Sequence, residues 1–143
     1  MEINKFYIAG KFITPDGKEI IDLINPATEE KIGHVISGSV KDVNDAVSAA
    51  KQAFQEASAL SLEQKKTILQ EIIDGMDVRR EEFAQVISEE MGAPIKVARG
   101  AQFSSGKVHF VNTLKVIDSF SFYEVHDNIT LNKLPIGPVG MIT

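Results

Sequence analysis

Apolar positions recur along this chain with two different periods, and the switch between them divides it into a β-rich start and a helical middle. From Lys5 to Ile13 the run K-F-Y-I-A-G-K-F-I sets two short apolar and aromatic stretches around Ala9 and Gly10. That is the pattern of a tight hairpin whose turn needs a residue at positive φ. After the turn-rich Thr14-Pro15-Asp16-Gly17, the segment Ile20-Ile21-Asp22-Leu23-Ile24 reads as a strand, and Asn25-Pro26-Ala27-Thr28 ends it. Proline there pushes Asn25 out of helical space. Lys31 to Ile36 is expected to pair back onto that strand. At Ser37-Gly38-Ser39 the period lengthens: Ser39 and Asp42 have the spacing of a capping box, and Val43, Ala46, Val47, Ala50 and Phe54 share one helical face. Ser61 and Gln64 repeat the cap ahead of Ile68, Leu69, Ile72, Ile73 and Met76, a second amphipathic helix. Phe83, Val86, Ile87 and Met91 carry a third beyond Arg79-Arg80-Glu81-Glu82. It should stop near Met91, where Gly92 suits a left-handed cap and Pro94 cannot continue the helix.

From Ile95 to Asp118 a longer helical pattern holds Val97, Ala101, Val108, Phe110, Val111, Leu114 and Ile117. Gly100 and Gly106 each weaken it by about 1 kcal/mol relative to alanine, which predicts close packing against a neighbour at both. Ser119 to Val125 then alternates, turns at His126-Asp127-Asn128 and resumes as Ile129 to Leu134, a second hairpin. The last stretch, Pro135 to Thr143, turns apolar like the first residues of a buried strand. On this pattern the chain is expected to end inside an element. No internal repeat, low-complexity tract or charge run marks a linker.

A length of 143 residues suits one domain. The absence of cysteine excludes a thiol nucleophile, a disulfide framework, an iron–sulfur cluster and a thiolate zinc site. Fifteen basic against twenty acidic side chains give a net charge of -5, without the positive footprint that draws phosphate backbones or anionic lipid. Neither nucleic acid nor membrane is an expected partner. The start, MEINKFYIAG, lacks the apolar core and cleavage site of a signal peptide, so the expected location is cytoplasmic.

Candidate chemistry is sparse. His34, His109 and His126 are far apart in sequence, with no i, i+3 or i, i+4 pairing of the kind that binds metal on a helix. Glu81-Glu82 and Glu89-Glu90 are adjacent and so diverge on a helix, as a solvated face does. Gly137-Pro138-Val139-Gly140 lacks the full glycine fingerprint of a phosphate-cradling loop. Asn128-Ile129-Thr130 matches a glycosylation acceptor but reads as a turn in this compartment. Ser104 and Ser105 sit in a helical pattern with no activating base in reach. The residues by themselves define no active site.

The order of the pieces resembles the start of the aldehyde dehydrogenase superfamily. The resemblance rests on Tyr7-Ile8-Ala9-Gly10-Lys11-Phe12, Ile24-Asn25-Pro26-Ala27-Thr28-Glu29-Glu30, the helix from Asp42 to Phe54, Ile68-Leu69, Glu89-Glu90-Met91-Gly92-Ala93-Pro94 and Leu134 through Thr143. It spans the whole chain but only the first part of a family member. Family members often have tryptophan at the place of Ala57 and arginine at that of Lys65. The resemblance implies an α/β chain, the N-terminal part of an aldehyde dehydrogenase-like fold, with small β-hairpins and about four helices flanking an incomplete dinucleotide-binding domain. Residues 1–118 would form the N-terminal part of that domain, 119–134 an oligomerisation-type β-hairpin, and 135–143 the start of the first nucleotide-binding strand.

The same resemblance places the family's cysteine nucleophile, glutamate base, oxyanion-hole asparagine and ribose-binding lysine beyond Thr143. Ile142 and Thr143 match positions that run beside the nicotinamide cofactor, touching it through backbone and packing. The implied function is the N-terminal fragment of an NAD(P)-dependent aldehyde dehydrogenase, inactive on its own. NAD or NADP belongs to the complete family member, and neither is expected to bind this chain tightly. The alternatives are a stand-alone interaction module built on the hairpin, whose edge adds a strand to a partner's sheet, or a decayed remnant without catalytic function. Helices that normally pack on a later sheet would be left short of a partner, and every 400 Å² so uncovered forgoes roughly 10 kcal/mol of burial. Self-association, or association with a complementing polypeptide through 119–134, is therefore expected.

Overall fold

The computed structural model describes residues 2–142. After β1 (Glu2–Ile3), the hairpin expected at the start forms from β2 (Phe6–Ile8) and β3 (Lys11–Ile13), paired antiparallel with Ile8 opposite Lys11. Ala9 and Gly10 make the turn at φ 52° and 77°, the two successive positive values that a two-residue hairpin with the correct twist requires. β4 (Ile20–Ile24) and β5 (Lys31–Ile36) pair antiparallel as expected. β1 adds a short parallel edge on the other side of β5, giving the order β1-β5-β4. That two-residue strand is too brief to leave a sequence pattern. Between β4 and β5, the Asn25 side chain accepts from the Ala27 N–H at 2.8 Å, and Glu29 takes φ 61°.

Four helical runs follow. α1 (Val40–Ala59) and α2 (Leu62–Val78) each open with a reciprocal capping box, Ser39 with Asp42 and Ser61 with Gln64, so local chemistry sets both starts. α3 (Arg80–Met91) ends at Gly92 with φ 67°. Glycine is required there twice over, since an added Cβ would also approach Pro26 Cγ at 3.0 Å. The helix end is thereby seated on the Asn25-Pro26-Ala27 turn. The fourth run comprises α4 (Ile95–Val97), a π-helical segment (Ala98–Gln102) and α5 (Phe103–Ile117). The expected uninterrupted helix is thus widened by one π turn. The expectation of close packing at both glycines is corrected: an added Cβ at Gly100 would meet nothing within 4 Å, and one at Gly106 reaches only Met76 Cε at 3.9 Å.

A single carboxylate ties the β-rich start to the helices. Asp42, 4% exposed, accepts from the Asp16 N–H at 2.8 Å, the Gly17 N–H at 2.9 Å and the Ser39 N–H at 2.8 Å. Ser39 Oγ donates in turn to Asp16 Oδ2 at 3.1 Å. Gly17 fits because a Cβ there would lie 2.0 Å from the Ser37 carbonyl oxygen. These backbone donors, the Asp16 N–H foremost and then that of Ser39, hold the Asp42 carboxyl well below the usual carboxylate range.

Helix packing is thinner. Besides Pro15, the described residues bury the apolar side chains of Ile73, Ala84, Ala98 and Phe103. Phe103 meets Phe83 with ring centroids 5.8 Å apart, while Lys66 with Asp118 and Lys107 with Asp77 join α2 to the end and middle of α5. The accessible surface is 10754 Å², against about 7,300 Å² for a compact monomer of this mass. The hairpin after α5 begins later than its alternation suggests: Ser119 to Phe122 stays outside it, and β6 (Tyr123–His126) pairs with β7 (Ile129–Asn132). Its turn is Asp127-Asn128, Asp127 taking φ 50°.

Replacing Asp42 by asparagine removes the charge and leaves its backbone donors short of acceptors. Asp42→Asn is expected to lower the thermal midpoint by roughly 5 °C. A depressed carboxyl pKa stabilises the fold above the ordinary value of 3.8 and loses that contribution as pH falls below it. Circular dichroism melts should therefore show a steep acid loss in the parent chain and a shallower one in the variant; equal midpoints and parallel acid curves would remove Asp42 from this role.

Candidate functional site

The residues singled out for cofactor contact lie at the end of an irregular segment. The strand expected from Pro135 is absent among the described residues: 133–142 carries neither helix nor strand. An apolar run becomes a strand only beside another strand, and none of the described strands pairs with it. Ile142 is 96% exposed. Thr143 lies outside the described residues. A dinucleotide sits outside the carboxyl ends of a parallel sheet, against a helix N-terminus. Here the parallel pairing among the described residues joins only Glu2 and Ile3 to His34 and Val35, and the helix that follows β5, α1, has the carboxylate of Asp42 in its first turn. The residues present do not themselves form such a crevice.

The three histidines stay apart. His34 is in β5, His109 lines an apolar groove of about 520 Å³ with Val116, Ile117, Phe120 and Phe122, and His126 closes β6 with its Nε2 3.2 Å from Glu124. Among the described residues no group of three or more His, Cys, Asp or Glu is arranged to hold a metal. No helix there is long and apolar enough to cross a membrane.

Charged groups do gather in two places. At the hairpin base, Lys133 pairs with Glu124, donates to the Ser121 carbonyl at 3.0 Å and lies 4.8 Å over the Phe120 ring. The Lys133 ammonium, then His126, pulls the Glu124 carboxyl below its ordinary value. The second cluster lies where α3 meets the π segment. Arg99 Nε and Nη2 donate to the two oxygens of Glu81 at 2.7 and 2.6 Å, a bidentate pair. Arg80 Nε and Nη2 donate to the Arg99 carbonyl at 3.2 and 3.0 Å. The Arg99 bonds, followed by that from Gln85, hold the Glu81 carboxyl at about 2. The sequence places Glu81 on a solvated face and gives no sign of Arg80 and Arg99, because the contacts join residues 18 and 19 positions apart. Nothing local announces it.

The helices, the two small hairpins and the turn between β4 and β5 form an α/β arrangement with broad apolar helix faces left exposed. The profile described as Aldehyde dehydrogenase family matches residues 12–143. A Staphylococcus haemolyticus protein that bears an aldehyde dehydrogenase name is 35% identical over 137 residues, covering 96% of this chain and 29% of its own length. The crystal structure of an aldehyde dehydrogenase from Bartonella henselae superposes with a TM-score of 0.85 at 35% identity, over 90% of this chain and 27% of that one. A mutant of aldehyde dehydrogenase C from Pseudomonas syringae, solved with NAD+ and octanal, gives 0.83 at 39% identity, over 86% and 25%. This chain belongs to the aldehyde dehydrogenase family. It spans about 30% of the length of the curated relatives it matches.

The Glu81 environment is directly checkable. In Arg99→Gln the Glu81 carboxyl, followed by NMR, is expected to titrate near its ordinary 4.5 instead of about 2. The parent pair stabilises the fold above pH 4.5 and loses that effect as pH falls toward 2. A Glu81 titration unmoved by the substitution would separate the two residues.

Proposed function

We propose that this chain supplies the N-terminal part of an NAD(P)-dependent aldehyde dehydrogenase and is inactive alone. The observation that carries the reading is the uncovered surface. About 3,500 Å² more is accessible than a compact monomer of this mass would show, an amount within the range of obligate interfaces. Much of it is apolar and lies on helix faces, with Val43, Val47, Ile68, Ile72, Phe83 and Val86 all exposed. Such faces fit a parallel sheet of the kind that the remaining 70% or so of a relative's length would contain. In that setting Ile142 and Thr143 run beside the nicotinamide cofactor and contact it through backbone and packing. That the Pseudomonas syringae relative was solved with NAD+ and octanal supports a dinucleotide and an aldehyde as the ligands of the complete site.

Complementation tests this. The chain is mixed with a polypeptide carrying the rest of the Bartonella henselae relative, and NADH formation is followed after an aldehyde is added. The chain alone is expected to give no NADH and no saturable NAD heat, and the mixture to give aldehyde-dependent NADH. Micromolar NAD binding by the chain alone, near -8 kcal/mol, would overturn the proposed inactivity.

The exposed hairpin is the second seat of association. Tyr123, Val125, Ile129 and Leu131 are all open to solvent, and both strands are edges. Edges of this kind invite pairing with another chain. Leu131→Lys is expected to move the light-scattering mass toward the 15.7 kDa monomer. If the mass stays where it was, association runs through another surface.

A further inference from the structure

Gly100 stands inside the long helical run, a position that glycine favours less than any residue but proline. Packing within the chain does not account for it, since a methyl group built there would meet no atom within 4 Å. The space beside it is a groove of about 430 Å³ lined by Arg80, Lys96, Arg99 and Gly100. Three cationic side chains share this groove. It lies against the π segment, a helix form that recurs at functional sites.

The two guanidiniums are already positioned. Arg80 is held by the Arg99 carbonyl and by the Phe103 ring 5.1 Å away, and Arg99 by both oxygens of Glu81. None of these bonds uses Nη1 of either arginine. The Lys96 ammonium has no partner among the described residues. One carboxylate against three cations leaves a positive excess on a chain whose net charge is -5. Guanidinium forks held in place beside an unpartnered ammonium suit a tetrahedral, doubly charged anion. The missing side chain at Gly100 leaves the space between these cations open.

We propose that this groove binds a phosphate dianion, free or carried as a monoester. The site stands independently of the dehydrogenase reading.

Equilibrium dialysis of the 143-residue chain against radiolabelled inorganic phosphate, at constant ionic strength, tests it. The expected result is one saturable site half-filled on the order of 1 mM. Lys96→Gln should weaken it about tenfold, because a neighbouring charge is removed. Gly100→Ala should weaken it with an unchanged circular dichroism spectrum. Displacement by glycerol phosphate at lower concentration than inorganic phosphate marks the monoester as the better ligand, and the reverse order marks the free ion. Uptake that does not saturate, or saturates equally in both variants, overturns the proposal.

Discussion

Everything in this chain hangs on one carboxylate. Asp42 gathers the N–H groups of Asp16, Gly17 and Ser39, and so fixes the loop after the first hairpin, the exit from β5 and the first turn of α1 at one point. The seam it makes is polar and short-range. Around it the geometry is permissive of glycine alone, since the Ser37 carbonyl would collide with any side chain at position 17. A second contact of the same kind, Gly92 against Pro26 and Ala27, brings the end of α3 back to the β4–β5 turn. The sheet and the helices are therefore joined by close backbone approaches rather than by a shared apolar core.

That arrangement explains why so small an interior suffices to define the fold. The helices present broad apolar faces and bury little of them. Hydrophobic stripes on α1 and α2 are wider than this chain's own packing uses. The chain spans about 30% of the length of the relatives it matches, and under the proposed function the stripes pack on the rest of that body. Under the proposed function, the closing surface for these elements comes from the rest of the family body.

Local features were legible in the sequence and distant ones were not. Both capping boxes involve residues three apart, and the structure has both. The Ala9-Gly10 turn and the Gly92 stop are likewise written within a few residues. Asp42 could be read as a cap, but its bonds to Asp16 and Gly17 span 26 and 25 positions, beyond any local pattern. The π segment escaped because five residues are too few to distinguish its period from that of an α-helix. Pro135 to Ile142 looked like a strand because apolar runs do, yet a strand depends on a neighbour that the run itself does not encode. The Arg80, Arg99 and Glu81 cluster shows the same limit, since α3 and the π segment must pack before it exists.

The polar seam also gives the molecule an uneven response to cold. Burial of apolar surface weakens as water is cooled, because its driving force near room temperature is entropic. Hydrogen bonds to an ionised oxygen do not follow that course. Chilling therefore drains the helical half of its hold while the joint at Asp42 keeps its own, and the chain loosens from the outer helices inward. The joint at Asp42 is thus the part of the fold least sensitive to cooling.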